Sequence, residues 1–342
     1  MAMDKDLLSL FQKEFKADAT ISRISEDIRG KVIVLYGGNN VGKTLQSAKF
    51  PNPIFLPCEK GMNAVNGALV LKTTSWSDLK KNGKKLTGKK FVKALQAGST
   101  MTVVVDGIER IGNYVKDYLC SKYDVATIGK ANGGFGAWEE YENLVWSFVD
   151  NLISVGYTVV FIGHEKLDTK KDKYVITGDE RAIKPIRDNA DIVAYLHSNG
   201  ISEEGETIHS SAYLAETDGF FARTRFSYMD TYIEDFTAEN LINCIVEGIK
   251  KQNEAEGFES VSFEEQQEIY DDGDESFEDV KQEIKELFTQ MSEIGEDAVD
   301  AYASIVEDHL GEDISVSQAT ERQIEALKCI RDELADYIEG IE

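Results

Sequence analysis

The stretch "VIVLYGGNNVGKT" (residues 32–44) decides the fold. An apolar, β-branched run leads directly into glycines, and an amphipathic stretch follows. Gly37, Gly42, Lys43 and Thr44 match the pattern G-x-x-x-x-G-K-[ST] of a phosphate-binding loop. In such a loop, glycines let the backbone wrap an anion, and successive amides at a helix N-terminus supply positive potential. The sequence therefore predicts a nucleotide-binding P-loop at the tip of a buried strand.

The P-loop pattern also predicts which groups hold ATP and Mg²⁺. The expected nucleotide-binding residues are Gly37, Gly38, Asn39, Asn40, Val41, Gly42, Lys43 and Thr44. Lys43 would reach the β- and γ-phosphates, and the Thr44 hydroxyl would hold Mg²⁺. Asp106 ends the apolar run "MTVVVD". We predict that it is the second magnesium-binding group, since P-loop folds pair these two features.

Hydrolysis also needs a group that orients or deprotonates water. Glu59 follows the second apolar run, in "PIFLPCEKG" (residues 53–61), and we predict that it is this base. A glutamate in a solvated turn would give the same pattern. Glu109 is a reserve candidate, although it fits better on the helix expected after Asp106.

Short apolar runs recur through the first 250 residues, and amphipathic stretches separate several of them. The runs span residues 32–36, 53–56, 68–71, 101–105, 158–163 and 191–196. Runs that are apolar on both faces are typical of a mainly parallel sheet that helices cover on both sides. The predicted class is therefore α/β.

The net charge of -25 is concentrated at one end of the chain. Residues 251–342 hold 29 acidic and 6 basic residues, whereas residues 1–250 hold 33 acidic and 31 basic. We predict a core over 1–250 with an N-terminal helical extension (1–30), a mobile acidic linker (251–276) and a small acidic all-α domain (277–342). The near-neutral core could still carry a local basic patch, whereas nucleic acid should be repelled by the acidic end.

Two classes of protein are disfavoured. No apolar run approaches the ~20 residues that a membrane helix needs, and there is no signal peptide. The four cysteines (Cys58, Cys120, Cys244 and Cys329) are scattered without metal-binding spacing, which favours the reducing cytoplasm.

In chain order, the motifs resemble those of RecA-like P-loop ATPases, more closely the core-only RecA-like ATPases of bacteriophages linked to single-strand annealing and recombination. The motifs are "VIVLYGGNNVGKT", "FPNPIFLPCEKG", "VVVDGIER", "GKANGGFGAW" and "FIGHEK". The resemblance implies that Glu59 is catalytic and that His164, at the end of an apolar run, senses the γ-phosphate. Glu165 would then only begin the loop that follows. Pro57 departs from the family, which often carries aspartate two residues before the glutamate.

The resemblance further implies two loops that contact single-stranded DNA. The first, near residues 127–138, offers Lys130 and Phe135, while Trp138 is better explained as the first core residue of a helix. The second follows His164 and carries the basic residues Lys166, Lys170, Lys171, Lys173, Arg181, Lys184 and Arg187. A mobile loop that binds phosphates and a solvated hairpin explain this second segment equally well.

Arg223 and Arg225 follow a predicted strand at residues 212–216. By the same resemblance, they would reach the γ-phosphate of a neighbouring subunit and complete a catalytic set with Lys43, Glu59 and His164. Arginines at the edge of a strand are the alternative explanation.

The expected function is ATP hydrolysis by a phage-type recombination protein that acts on single-stranded DNA in the host cytoplasm. It would form a homo-oligomer, as a ring or a filament. The acidic C-terminal region would contact a single-stranded-DNA-binding or replication protein. Two alternatives remain open: a helicase-like or loader ATPase, and a nucleotide-switched interaction module whose C-terminal domain binds the partner.

Overall fold

The computed structural model describes residues 5–15, 20–203, 205, 208–267, 276–312 and 314–341. The chain divides into two compact units, residues 1–269 and 270–342. The helices are α1 (Lys5–Phe15), α2 (Lys43–Ser47), α3 (Trp76–Leu86), α4 (Lys89–Gln96), α5 (Glu109–Lys122), α6 (Trp138–Ile153), α7 (Glu180–Asn189), α8 (Ala238–Glu256), α9 (Phe263–Gln267), α10 (Phe277–Ile294), α11 (Glu296–Leu310) and α12 (Ile324–Glu339). The strands are β1 (Val32–Gly37), β2 (Pro53–Pro57), β3 (Leu69–Val70), β4 (Thr102–Asp106), β5 (Thr158–Asp168), β6 (Lys173–Ile176), β7 (Ile192–His197), β8 (Ser211–Tyr213), β9 (Arg223–Thr224) and β10 (Tyr232–Ile233).

The first unit is built on one twisted sheet in the order β10-β8-β7-β1-β5-β4-β2-β3. Strands β3, β2, β4, β5, β1 and β7 pair in parallel. Strands β8 and β10 extend the sheet in the antiparallel sense, β6 pairs with the end of β5, and β9 pairs with β7. The prediction of an α/β fold with a mainly parallel sheet is confirmed.

Helices cover both faces of this sheet, as the apolar runs predicted. The side chains of Val32, Val34 and Tyr36 face the layer of α3, α5, α6 and α7. Ile33 and Leu35 face the layer of α2 and α8. Every residue of β1 is buried, and each large apolar side chain contributes roughly 1.5–3 kcal/mol by leaving water. This central strand therefore holds the loop that follows it in a fixed place.

Tyr36 fixes the end of β1 to two peripheral segments. Its fully buried hydroxyl donates to the carbonyl of Phe221 and lies 3.3 Å from the carbonyl of Tyr174. Burial raises the pKa of this phenol, so the hydroxyl stays protonated and remains a donor. Tyr36 also lies in register with Tyr195 on β7, with the ring centroids 5.3 Å apart. The P-loop strand is thereby tied to β6 and to the segment that enters β9.

The segment after His164 is ordered, which corrects the expectation of a mobile loop. Strand β5 continues to Asp168 and pairs with β6 as a hairpin. Helix α7 follows, and the Asp179 side chain caps it by accepting from the amide of Arg181 at 3.0 Å. Buried Ile183 holds α7 on the sheet. The solvated-hairpin alternative placed two short strands within residues 170–181. The structure has one of them, β6, which pairs with the end of β5, and neither alternative included helix α7, which begins at Glu180.

The described part of the predicted acidic linker packs on the first unit. Helix α8 continues to Glu256, beyond the predicted start of the linker. Phe263 on α9 is buried, and Glu264 accepts hydrogen bonds from both terminal nitrogens of Arg29. The expectation of a mobile linker is therefore wrong for residues up to 267, whereas residues 268–275 lie outside the described part of the chain.

The second unit is a small bundle of α10, α11 and α12. Its buried core includes Val280, Ile284, Leu327, Ile330 and Leu334. The Ser276 hydroxyl caps α10 by accepting from the amide of Asp279 at 3.1 Å. Among the described helices, none is both long and apolar enough to cross a membrane.

Replacing Tyr36 by phenylalanine should lower the free energy of unfolding of the first unit by about 1–2 kcal/mol, because the carbonyl of Phe221 loses its buried donor. Urea unfolding followed by tryptophan fluorescence measures this, since all three tryptophans (Trp76, Trp138 and Trp146) lie in the first unit. Tyr228→Phe, at a largely exposed position, is the control. Equal stability of the two variants would contradict the role given to the Tyr36 hydroxyl.

Candidate functional site

The P-loop adopts the tight path that its glycines predicted. Asn40 and Gly42 take positive φ angles of 62° and 86°. A Cβ at Gly37, whose φ is 153°, would collide with the carbonyl of Leu196. Only glycine therefore fits where β1 turns into the loop beside β7.

Lys43 lies at the mouth of this loop with its side chain turned inward. The residue is 7% exposed, and its ammonium group donates to the carbonyls of Gly37 at 3.0 Å and Gly38 at 2.5 Å. Burial lowers the pKa of Lys43, while the nearby Asp106 and Glu109 oppose that change. An entering phosphate would exchange two neutral acceptors for a charged one, which strengthens the hydrogen bonds of this ammonium group.

The residues predicted to hold Mg²⁺ are adjacent. Thr44 lies in the first turn of α2, and its hydroxyl donates to the carboxylate of Asp106 at 2.7 Å. Asp106 is buried at the end of β4, and burial raises the pKa of its carboxyl. A hydroxyl and a carboxylate side by side are hard oxygen ligands of the kind that Mg²⁺ prefers. The donor set therefore fits the metal, which would also relieve the desolvation of Asp106.

Glu59 is held close to Asp106 by the turn after β2. The carbonyl of Asp106 accepts from the amides of Cys58 at 2.5 Å and Glu59 at 3.1 Å. Burial raises the pKa of the Glu59 carboxyl, and the charge of Glu109 raises it further. A raised carboxyl pKa makes the ionised form a stronger base, as activation of water requires.

Glu109 contacts the predicted sensor. Its carboxylate accepts from the backbone amide of His164 at 2.5 Å and lies 3.3 Å from ring atom Nδ1. This contact raises the pKa of His164. Ligand atoms of Glu59, Glu109 and His164 all lie within 4.8 Å of one another. The structure thus brings both candidate bases and the sensor together, and the choice of Glu59 as the base stays a prediction.

Glu165 is a site residue that the sequence did not reveal. Its carboxylate lies so close to the P-loop that a Cβ at Gly38 would be 3.3 Å from Oε1. Alongside burial, its charge contributes to the raised pKa of Tyr195, and its Oε2 is buried with no hydrogen-bond partner among the described residues. Alternation along β5 could have found it: Phe161, Gly163 and Glu165 share a face if the strand continues past His164.

Arg223 and Arg225 are not brought to this chain's own P-loop. Arg223 donates to the carbonyls of Asp188 at 3.1 Å and Ala190 at 2.9 Å. Arg225 donates to the carbonyl of Asp188 at 2.8 Å and lies 3.6 Å from the carboxylate of Asp191. Both arginines bind carbonyls at the C-terminal end of α7, where the helix dipole favours cations. Their proposed action on a neighbouring subunit stays a prediction.

The residues of the first predicted DNA loop differ in their surroundings. Phe135 is 90% exposed, and Lys130 is exposed nearby. Trp138 packs edge-on against Tyr141, and the guanidinium of Arg181 lies 4.4 Å from its ring centroid. Phe135 remains available for stacking, whereas Trp138 is a packing residue, as its position at the start of a helix favoured.

Several lysines and arginines of the second predicted DNA-binding segment already contact acidic side chains or carbonyls of the same chain. Lys173 pairs with Glu216, Arg181 with Glu142, and Arg187 with Glu180 and Asp188. Lys166 donates to the carbonyl of Gly178 at 3.2 Å. The exposed Lys170, Lys171 and Lys184 complete the set. The segment is therefore less cationic than its lysine and arginine count indicated.

Glu165→Gln should lower the Kd for ATP about tenfold, which corresponds to ~1.4 kcal/mol, because it removes a partly buried negative charge beside the phosphate-binding backbone. Titration with a fluorescent ATP analogue measures the effect. Asp168→Asn removes the same charge three residues further along β5, roughly 10 Å away, and should change little. Unchanged or weaker binding by Glu165→Gln would contradict this electrostatic role.

Comparison with known proteins agrees with this geometry. A family model described as an AAA domain matches residues 29–226. The "SPbeta prophage-derived uncharacterized protein YorG" of Bacillus subtilis (strain 168) is 42% identical over 318 residues, which cover 93% of this chain and 97% of that protein. Neither match bears on the narrower RecA-like resemblance, which stays a prediction.

Among solved structures, an ATPase from the type III secretion system of pathogenic bacteria matches with a TM-score of 0.35 at 12% identity. The match covers 89% of this chain and 80% of that one, and it is too distant to carry an argument. The family model spans more than half of this chain, and the site contains the P-loop, the paired Thr44 and Asp106, and acidic groups beside them. The chain therefore belongs to this AAA-domain family and is a P-loop ATPase.

Proposed function

We propose that this ATPase acts on single-stranded DNA as a homo-oligomeric, phage-type recombination protein that promotes annealing or strand exchange. The course of strand β5 supports this proposal most directly. Strand β5 holds His164 among the catalytic groups and continues without interruption into the hairpin that bears Lys166, Lys170 and Lys171. A shift of His164 on contact with the γ-phosphate would move this cationic hairpin, and nucleotide state would thereby control DNA affinity.

The chemistry assigns a separate task to each group. The P-loop amides and Lys43 bind the phosphates, Glu59 orients and deprotonates the attacking water, and His164 donates to the γ-phosphate. A bound Mg²⁺, held by Thr44 and Asp106, would neutralise charge on the phosphates. Glu109 holds His164 in place through its amide and ring contacts.

Assembly would complete the site. Arg223 and Arg225 would approach the γ-phosphate bound by the next subunit of a ring or filament, where a cation stabilises the charge of the transition state. Arg225 is half exposed, so its guanidinium is accessible to a second copy. ATP would then order the interface between subunits, and hydrolysis would release it.

A nucleotide-switched interaction module is the second candidate, and the C-terminal unit favours it. That unit is compact, has its own buried core and is strongly acidic. In this form it would recruit a single-stranded-DNA-binding or replication protein. A helicase-like or loader ATPase gains no support from a specific contact in the described residues.

Lys43→Ala should abolish nucleotide binding and hydrolysis. Glu59→Gln should keep nucleotide and DNA binding and lower kcat by about 10²–10⁴-fold, because this substitution removes only the base. ATP hydrolysis with and without single-stranded DNA, together with annealing of complementary strands, measures these effects. Stimulation by DNA supports the proposal. ATPase activity that ignores DNA, in a protein that binds none at low salt, would overturn it.

ATPase activity should fall as pH falls through the raised pKa of Glu59, because only the ionised carboxylate acts as the base. The loss should begin at a higher pH than an ordinary glutamate would give. Glu109→Gln removes one cause of the raised pKa and should move this acid limb to lower pH. Profiles of kcat against pH, with Glu239→Gln on α8 as the control, measure the shift, and an unmoved limb would contradict the coupling.

A further inference from the structure

The strongest positive patch in the described chain lies in neither predicted DNA loop. It consists of eight lysines in residues 72–93, a span that holds a single acidic residue, Asp78. We name it the α3–α4 lysine patch: Lys72, Lys80, Lys81, Lys84, Lys85, Lys89, Lys90 and Lys93. The sequence left open a local basic patch in the near-neutral core, and this is where the structure places it.

The patch is exposed and almost entirely unpaired. All eight lysines are exposed, and the sole ion pair that they make with described residues joins Lys81 to Asp78 at 3.4 Å. The opposite face of α3 is buried through Leu79 and Leu86, which directs the lysines outward. On the β5–β6 hairpin and α7, by contrast, several cations already form ion pairs within the chain.

The arrangement carries a local electrostatic cost. Lys80 and Lys84, like Lys81 and Lys85, stand four residues apart on α3, and each such like-charge pair destabilises a helix by about 0.2–0.5 kcal/mol. Lys89 and Lys90 occupy the first turn of α4, where the helix dipole disfavours cations. Helix formation alone does not explain these lysines, whereas a bound polyanion would reverse their mutual repulsion.

A groove of about 290 Å³ lies beside the patch, between α3 and α6. Lys80 and Lys84 line it together with Trp76 and Phe148, whose rings meet edge-on at 6.0 Å. Trp76 and Phe148 are buried in the core, so the exposed ring beside these lysines is that of Phe91 on α4. Cations next to an exposed aromatic ring are the combination that single-stranded nucleic acids use, through phosphate contacts and base stacking.

We propose that the α3–α4 lysine patch binds the phosphate backbone of nucleic acid and is the main DNA-binding surface of this chain. The proposal rests on the proposed action on single-stranded DNA and relocates its principal contact. An acidic protein is the less favoured ligand, because lysine is depleted in protein–protein interfaces, whereas evenly charged arrays of lysine suit a sequence-independent polyphosphate.

The test compares three double variants of the full-length protein. Lys80→Ala/Lys84→Ala alters the patch, Lys166→Ala/Lys170→Ala alters the rival hairpin, and Lys250→Ala/Lys251→Ala removes equal charge from α8, on the other face of the sheet. Binding of fluorescein-labelled oligothymidylate is measured by anisotropy across a salt series. The midpoint of urea unfolding, followed by tryptophan fluorescence, verifies that each variant is folded.

Each lost phosphate contact should lower the slope of log K against log[salt] by about 0.7 for a single strand. The Lys80→Ala/Lys84→Ala variant should therefore lose about 1.4 of this slope. If the affinities converge near ~1 M salt, this corresponds to about 25-fold weaker binding near ~0.1 M. The α8 variant should bind as the wild type does, and the hairpin variant should lose less than the patch variant.

Three outcomes would overturn the proposal, and they separate it from the proposed function. If the patch variant binds as the wild type does while the hairpin variant fails, the patch is not the main surface, but action on DNA stands. If wild-type protein binds no oligonucleotide at low salt, both fail. If labelled poly-glutamate binds the wild type through Lys80 and Lys84 while oligothymidylate does not, the patch serves an acidic protein.

Discussion

The in-register parallel pairing of β1, β5 and β4 is the constraint on which the site depends. Because Gly37 pairs with His164, and Asp106 pairs with Ile162, the ends of these strands meet at one edge of the sheet. The hydrogen bond between Thr44 and Asp106 follows from that register. A slip of one residue would turn Asp106 to the opposite face and separate the groups that bind phosphate and metal.

The edge concentrates negative charge around a single buried ammonium group. Asp106, Glu109, Glu165 and Glu59 all act electrostatically on Lys43. A nucleotide adds further negative charge, so binding requires compensation by P-loop amides and by a divalent cation. Glu165 lies against Gly38 and starts the part of β5 that pairs with β6.

Tyr36 and Glu165 link the phosphate-binding loop to segments at the edge of the first unit. Tyr36 connects β1 to β6 and to the entry of β9, which carries Arg223. Glu165 connects the P-loop to the hairpin because it lies against Gly38 and on the strand β5, which continues into the hairpin.

The cations available to a nucleic acid lie partly on this hairpin and more densely on α3 and α4, whereas the C-terminal unit is strongly acidic. Charge is thus segregated along the chain.

The sequence by itself determined the six parallel strands of the sheet, the P-loop, Asp106 and the acidic C-terminal helices, because these depend on local periodicity and on fixed motif spacing. It also placed Glu59 and His164 at strand ends, where parallel pairing brings them together. It did not show that β5 continues past His164 and carries Glu165 to the P-loop, because the exposed β5–β6 hairpin lacks an apolar pattern. Nor did it show that Arg223 binds the end of α7, or that the lysines of residues 72–93 form a single ion pair with described residues whereas Lys173, Arg181 and Arg187 are all paired. Those outcomes depend on which elements meet in space, and tertiary packing alone decides that.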